Sequence, residues 1–255
     1  MIHKLTVHFT PTGDHPGLDM AAIPANRLHA LLFRSVLPIY SSEQTTWLHE
    51  HPSPKPFALS PLVSPEGMLT GLCLSAWSEP AAQLLVAGWQ RVYEQGETLA
   101  LGAHTVQVAG VSYDKERRFE ELVQATPRRQ LWLRFLTPTA FRRGPLRLHL
   151  PLPSNVFDRP FQVWQTYAPP TLQLPEDWPQ WCREHVMVQR HHIQTRLVPF
   201  NRQAPFVGFV GDVEFRAVAG DELYLRLWQA LGKFAVYCGI GYKTTMGMGT
   251  VAQKR

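Results

Sequence analysis

The imidazole of histidine titrates near neutrality, so it can take or give a proton at working pH. This chain of 255 residues carries 11 histidines. His29 stands in a segment where Leu28, Leu31, Leu32 and Val36 recur at helical spacing. At about 100° per residue it falls beside Leu32 and Val36, on the edge of the apolar stripe. That edge suits a side chain held by packing and facing a groove; it equally suits a boundary histidine with no chemistry. Arg27 and Arg34 share a different face, where they either hold an anion or are simply solvated. Tyr40, His49, His51 and Lys55 lie in the loop expected to follow and are available as partners. Cys182 and His185 are spaced as Cys-x-x-His, but no second pair completes a zinc site. No cluster of acidic residues suggests a magnesium site, so neither metal nor cofactor is expected.

A second chemical signal lies near the C-terminus: Gly239-Ile240-Gly241-Tyr242-Lys243-Thr244-Thr245-Met246-Gly247-Met248-Gly249. Glycine admits positive φ and close backbone approach, and successive free N–H groups in such a loop cradle anions. Lys243 adds a point charge. The phosphate loop of nucleotide-binding proteins needs glycine before the lysine, and Tyr242 stands there. The dinucleotide fingerprint needs glycine at its sixth position, which is Thr244, and a strand before it, where a helix is expected. A plain helix-to-strand turn is the alternative, though it needs fewer glycines.

The net charge is +5, with 45% apolar and 18% charged residues, which fits a packed chain. From Lys115 to Arg147 there are nine basic residues, among them Arg128, Arg129, Arg142 and Arg143, against Glu116, Glu120 and Glu121. The excess of arginine favours bidentate phosphate contacts; a solvated basic face is the alternative. The three cysteines, Cys73, Cys182 and Cys238, imply no disulfide framework. Residues 1–5 lack an apolar signal core, and no run of about 18 apolar residues occurs. A cytoplasmic protein without a membrane partner is expected.

These residues must be positioned by regular elements. Leu5, Val7 and Phe9 alternate with polar neighbours as in a half-buried strand. Pro24 opens a helix; residues 57–62 and 69–76 read as strands; Ser78-Glu79-Pro80 starts a helix that stops at Gly96; residues 99–113 are β-rich. The order β-α-β-β-α-β then recurs. It comprises a strand around Leu131–Phe135, helices at 156–167 and 175–185, and paired strands at 186–198 and 206–218. A helix from Gly220 follows, with a stripe of Leu223, Leu227, Leu231, Ala235 and Cys238, and then a closing strand within 246–253. The expected class is α+β, two tandem ferredoxin-like βαββαβ units of the RNA-recognition-motif kind, spanning 1–125 and 126–255.

The Gly-apolar-Gly pairs at 239–241 and 247–249 resemble the signature loop of the Cas6 branch of the repeat-associated RNA-binding (RAMP) proteins. Lys55-Pro56-Phe57-Ala58-Leu59-Ser60-Pro61-Leu62, Phe135-Leu136-Thr137-Pro138-Thr139-Ala140-Phe141 and Val207-Gly208-Phe209-Val210-Gly211-Asp212-Val213 resemble further family segments in the same order. The resemblance implies a metal-independent endoribonuclease that binds CRISPR repeat RNA in precursor CRISPR RNA. It also implies cleavage that leaves a 2′,3′-cyclic phosphate and a 5′-hydroxyl. It places the catalytic histidine in the first helix, hence at His29, and His51 is taken as the second proton carrier. Arg27, Arg34, Arg128, Arg129, Arg142, Arg143, Gly239, Gly241, Lys243, Gly247 and Gly249 become the expected RNA contacts. A CRISPR effector complex is a further partner, and the protein is a monomer or homodimer. The competing readings are a RAMP-type subunit that holds guide RNA uncut, and a general RNA-recognition module stacking bases on Trp132, Phe135 and Phe209.

Overall fold

The computed structural model describes residues 1–12, 17–114, 116–200 and 204–254; Lys115 of the basic run lies outside them. The chain opens with strand β1 (His3–Pro11), whose Leu5, Val7 and Phe9 point inward. Helix α1 (Ala25–Ala30) runs through a π-helical stretch (Leu31–Val36) into α2 (Leu37–Tyr40). Pro38 explains the widened turn. A proline ring clashes with the carbonyl four residues back in a regular α-helix, and here Leu37 N–H reaches back five residues to Leu32 O. Helix α3 (Ser42–Glu50) follows, its first turn capped by Ser41 Oγ accepting from Gln44 N–H. Strands β2 (Phe57–Val63) and β3 (Leu69–Ala76), helix α4 (Glu79–Gln95) and the hairpin β4 (Thr98–Leu101)–β5 (His104–Tyr113) complete the first sheet, in the antiparallel order β2-β3-β1-β5-β4. β4 is an edge strand beyond the four of the expected unit, and α3 is a helix where the sequence pattern predicts loop.

Helix α5 (Phe119–Val123) leads to β6 (Gln130–Thr139), where Leu131, Leu133 and Phe135 are buried and alternate with Gln130, Trp132 and Arg134. The short hairpin β7 (Phe141–Arg143)–β8 (Leu146–Leu148) stands apart from the sheet. Helices α6 (Pro153–Val156), α7 (Asp158–Tyr167) and α8 (Trp178–His185) precede the long pair β9 (Val186–Val198) and β10 (Phe206–Ala217). Helix α9 (Glu222–Cys238) and β11 (Val251–Lys254) close the second sheet, ordered β11-β6-β10-β9. With β6, β9, β10 and β11 as its four strands in sequence, this is the ferredoxin-like order 4-1-3-2, and the chain is a tandem ferredoxin-like α+β protein.

Two expectations change. Leu223 is 53% exposed, because the first turn of α9 stands off the sheet and is capped by Asp221 accepting from Tyr224 N–H. The buried stripe runs instead through Leu227, Trp228, Leu231, Phe234, Ala235 and Cys238. The closing strand begins only at Val251, since Thr244–Met246 forms a 3-10 turn and Gly247 and Gly249 adopt positive φ.

The core of the second sheet reaches into the first half. It includes Ile2, Ala58 and Trp77, with the Trp77 and Phe234 rings 6.0 Å apart. Tyr167 Oη also donates to Pro54 O at 2.7 Å. Helices α7 and α9 of the second half thus meet the β2–β3 side of the first, and this joint holds the glycine segment.

Candidate active site

The glycine segment leaves α9 and folds back between the two halves. Ile240 N–H donates to Gly249 O, Tyr242 N–H to Ala140 O, and Gly249 N–H to Pro138 O. Gly249 has φ +70°, and a Cβ there would lie 1.9 Å from Ile240 O; at Gly241 (φ +79°) it would lie 2.3 Å from Ala140 O. Gly239, Gly247 and Gly249 are buried, and Gly239 N–H donates to Ala235 O. The expected row of anion-facing N–H groups is therefore corrected. These three glycines allow backbone to pack on backbone, and the part of the loop that lines the cleft is residues 241–246. Gly247 lies against Leu28 and Pro61, which ties the loop to the helix carrying His29.

That tie orients His29. Its Nδ1 lies 3.3 Å from Thr245 O. A carbonyl only accepts, so this contact holds the proton on Nδ1 and leaves the Nε2 lone pair available. Phe33 packs on both His29 (ring centroids 4.5 Å) and His49 (5.0 Å), and the two imidazoles are 5.7 Å apart. Burial pushes the His29 pKa down to about 4 against the opposing pull of the Thr245 carbonyl, and His49, Lys243 and Lys55 push it further down. His29 is therefore neutral near pH 7.

A cleft of about 480 Å³ opens between the halves, a size that holds a nucleotide. His29, His49 and Lys55 line it from the first half; Arg142, Asn155, Asp158, Arg159, Gln162 and residues 241–246 line it from the second. Lys55 Nζ donates to His49 O at 2.6 Å, and burial lowers its pKa. Lys243 sits at the left-handed position φ 67°; burial lowers its pKa, and the neighbouring Arg142 and Arg147 add to this. Among the described residues, Asp158 is the one carboxylate in the lining. A smaller recess of about 280 Å³ shares Arg142, Tyr242 and Lys243 and adds Arg147, Phe200 and Phe206. It continues the cationic surface beside aromatic rings.

The expected residues separate accordingly. His29, Arg142, Gly241 and Lys243 come together at the cleft. His51 does not: its Nδ1 meets Pro52 O at 2.9 Å and its ring lies near Trp47 and Tyr167. The turn after α3 directs it away, whereas His49, still within α3, faces the cleft. Arg27 and Arg34 are exposed on the first helix, outside the cleft lining, and Arg143 is exposed on β7. Arg128 and Arg129 line a different recess, of about 1120 Å³, with Arg216, Lys233 and Lys254. Phe135 and Phe209 are buried against each other, centroids 4.7 Å apart, so they offer no stacking face. Trp132 is exposed beneath Lys254 Nζ. Sequence reasoning missed Asn155, Asp158, Arg159 and Gln162. Their spacing of three, one and three residues is a polar helical stripe that signals a shared face. Among the described residues, no three or more His, Cys, Asp or Glu side chains gather as a metal-binding group. Among the same residues no helix is long and apolar enough to cross a membrane.

A family model described as CRISPR-associated endoribonuclease Cas6 matches residues 133–251. Among solved structures, the product complex of a Thermus thermophilus Cas6 is 26% identical with a TM-score of 0.82, covering 100% of both chains. A Cas6 in complex with a substrate mimic is 24% identical with a TM-score of 0.76, covering 99% of each chain. A Cas6-related gene product of Pyrococcus furiosus is 14% identical with a TM-score of 0.57, covering 100% of this chain and 99% of that one. No curated protein matches the chain significantly in sequence.

Proposed function

We propose that this chain is a Cas6-type CRISPR-associated endoribonuclease that cuts CRISPR repeat RNA at the His29 cleft without a metal ion. The observation that carries this reading is the fixed, neutral imidazole of His29, its Nδ1 held by Thr245 O, in a cleft edged by Lys55, Arg142 and Lys243. A Cas6 relative held in a product complex supports the ligand class.

His29 Nε2 takes the proton from a 2′-hydroxyl. The 2′-oxygen bonds to the adjacent phosphorus while the bond from phosphorus to the 5′-oxygen breaks. His49, 5.7 Å from His29 by ring centroid, replaces His51 as the second proton carrier and protonates the departing 5′-oxygen. Lys55, Arg142 and Lys243 stabilise the negative charge of the pentavalent phosphorane. The products are a 2′,3′-cyclic phosphate and a 5′-hydroxyl, and no water is consumed. The processed RNA then passes to an effector complex.

RNA carrying the source organism's CRISPR repeat tests the reading. Cleavage is expected; a stable uncut complex would make the protein a RAMP-type guide-RNA holder instead.

The pH dependence has a defined sign. A base must be unprotonated, and His29 in the free protein loses its proton at about 4. On its acid limb kcat/KM, which reports the free enzyme, should rise through about pH 4. A bound phosphate favours the imidazolium, so the same limb in kcat should lie at higher pH. A kcat/KM limb at the ordinary histidine value would show that His29 is not the buried base.

Salt dependence tests how the RNA is held. Arg142→Ala/Arg143→Ala should reduce the slope of log K against log salt by roughly 0.7–0.9 for each phosphate that is no longer neutralised. An unchanged slope removes both arginines from the RNA surface.

A further inference from the structure

The wall of the cleft built by α6 and α7 carries polar groups that the reaction above leaves unused. Arg159 is the unusual one. Arg159 is half-buried with its Nη2 out of solvent, and burial lowers its pKa. Nε donates to Cys238 O at 3.2 Å, at the end of α9, where the helix dipole is negative. Among the described residues, no carboxylate pairs with it. Both carboxylate oxygens of the adjacent Asp158 accept instead from Gln162 Nε2 at 3.0 Å. Arg159 Nη2 is buried without a hydrogen-bond partner, and so is Nδ2 of Asn155, four residues earlier on the same stripe. Capping α9 occupies Nε and leaves Nη2 unexplained. Buried donors without acceptors are costly, and more so when charged. Two of them on one wall of a nucleotide-sized cleft mark a place that a ligand completes.

We propose that Arg159 Nη2, together with Asn155 Nδ2 of the same wall, binds a nonbridging oxygen of the RNA phosphate that reacts in the cleft. A cationic donor without a counter-ion favours an anionic oxygen over the neutral edge of a base. Asp158 tells against a free anion, because its carboxylate would repel one. An RNA phosphate is held there by contacts along the rest of the strand. Arg159 would thus add to the charge that Lys55, Arg142 and Lys243 bring to the cleft. This rests on the cleft being the cleavage site.

A binding cycle tests it. The cut is first mapped with wild-type protein on unmodified repeat RNA. Binding is then measured with RNA bearing a 2′-deoxy nucleotide before the cut, which cannot react, with either a normal phosphate or a neutral methylphosphonate at the cut. Wild-type protein should lose roughly 10- to 100-fold in affinity on the methylphosphonate, the usual worth of a charge-assisted hydrogen bond. Arg159→Met should lose a similar factor on the normal phosphate and little more on the methylphosphonate, so the two losses should not multiply. Thermal unfolding checks that each variant folds. Arg159→Lys keeps a cation able to reach Cys238 O but lacks Nη2. It should show the same loss of coupling, and it carries the cycle if the methionine variant does not fold. Losses that multiply would make Arg159 a cap of α9 only and overturn the proposal. Coupling to an abasic nucleotide at the cut, with none to the methylphosphonate, would assign the donors to a base and overturn it as well. Absence of any cut by wild-type protein would instead remove the reading of the cleft as the cleavage site, and this proposal with it.

Discussion

Replacing His29 with alanine will leave the RNA bound and slow its cleavage by roughly 10²–10⁴-fold, the usual contribution of one acid–base group. Binding persists because His29 is neutral at working pH, so its removal takes no positive charge from the cleft. Lys55, Arg142 and Lys243 remain. Single-turnover rates are the measurement, since slow product release would hide a slowed chemical step. A folded, RNA-bound His29→Ala protein that cuts at the wild-type rate would make His29 a boundary residue and pass the role of base to His49. His29→Ala also removes one face of the packing on Phe33, so the comparison needs thermal unfolding to show that the variant remains folded.

Gly249→Ala will lose roughly 2–4 kcal/mol of stability. A left-handed backbone costs a non-glycine residue about 1–2 kcal/mol. Here the new Cβ would also meet Ile240 O at 1.9 Å, a backbone atom that cannot swing aside. Gly67→Ala separates the two effects: it has φ +89° and no atom within 4 Å of the added Cβ, so it carries the conformational cost alone. Denaturant unfolding should rank wild type above Gly67→Ala and Gly67→Ala above Gly249→Ala. Equal losses in the two variants would show that the loop yields around Ile240. Cleavage should fall with Gly249→Ala and not with Gly67→Ala, because Thr245, which orients His29, belongs to the displaced segment.

The fold is open to sequence reading wherever one face of an element is buried. β1 and β6 alternate cleanly, and the Pro/Gly punctuation around α4 and the Asp221 cap of α9 mark real ends. Stretches without a clear period are less readable. Helix α3 is polar on most of its surface and its sequence resembles a loop, which also hides the direction of its histidines. His49 and His51 are two residues apart in the sequence. The first lies within the helix and faces the cleft, while the second follows the helix end and turns toward Tyr167. Spacing alone does not tell such a pair apart.

The glycine segment shows a different limit. Its glycines stand out as a place of close approach, and that much follows from residue type. Whether they approach a ligand or other parts of the chain depends on long-range pairing. Ala140 and Pro138, about a hundred residues earlier, supply the acceptors that take up Tyr242 and Gly249 N–H. Arg142 and Arg128 are likewise equivalent members of one basic run, and tertiary structure sends them to separate recesses.

Analysis of the RNA ends made in EDTA tests the central claim most directly. Wild-type protein is incubated with repeat RNA and excess chelator, and the products are examined for a 2′,3′-cyclic phosphate and a 5′-hydroxyl. A parallel RNA has a single 2′-deoxy nucleotide before the cut. The account predicts full-rate cleavage in chelator, cyclic phosphate ends, and no cleavage of the 2′-deoxy RNA. Loss of cleavage in EDTA that returns with a divalent cation, or 5′-phosphate ends and cutting of the 2′-deoxy RNA, would contradict it.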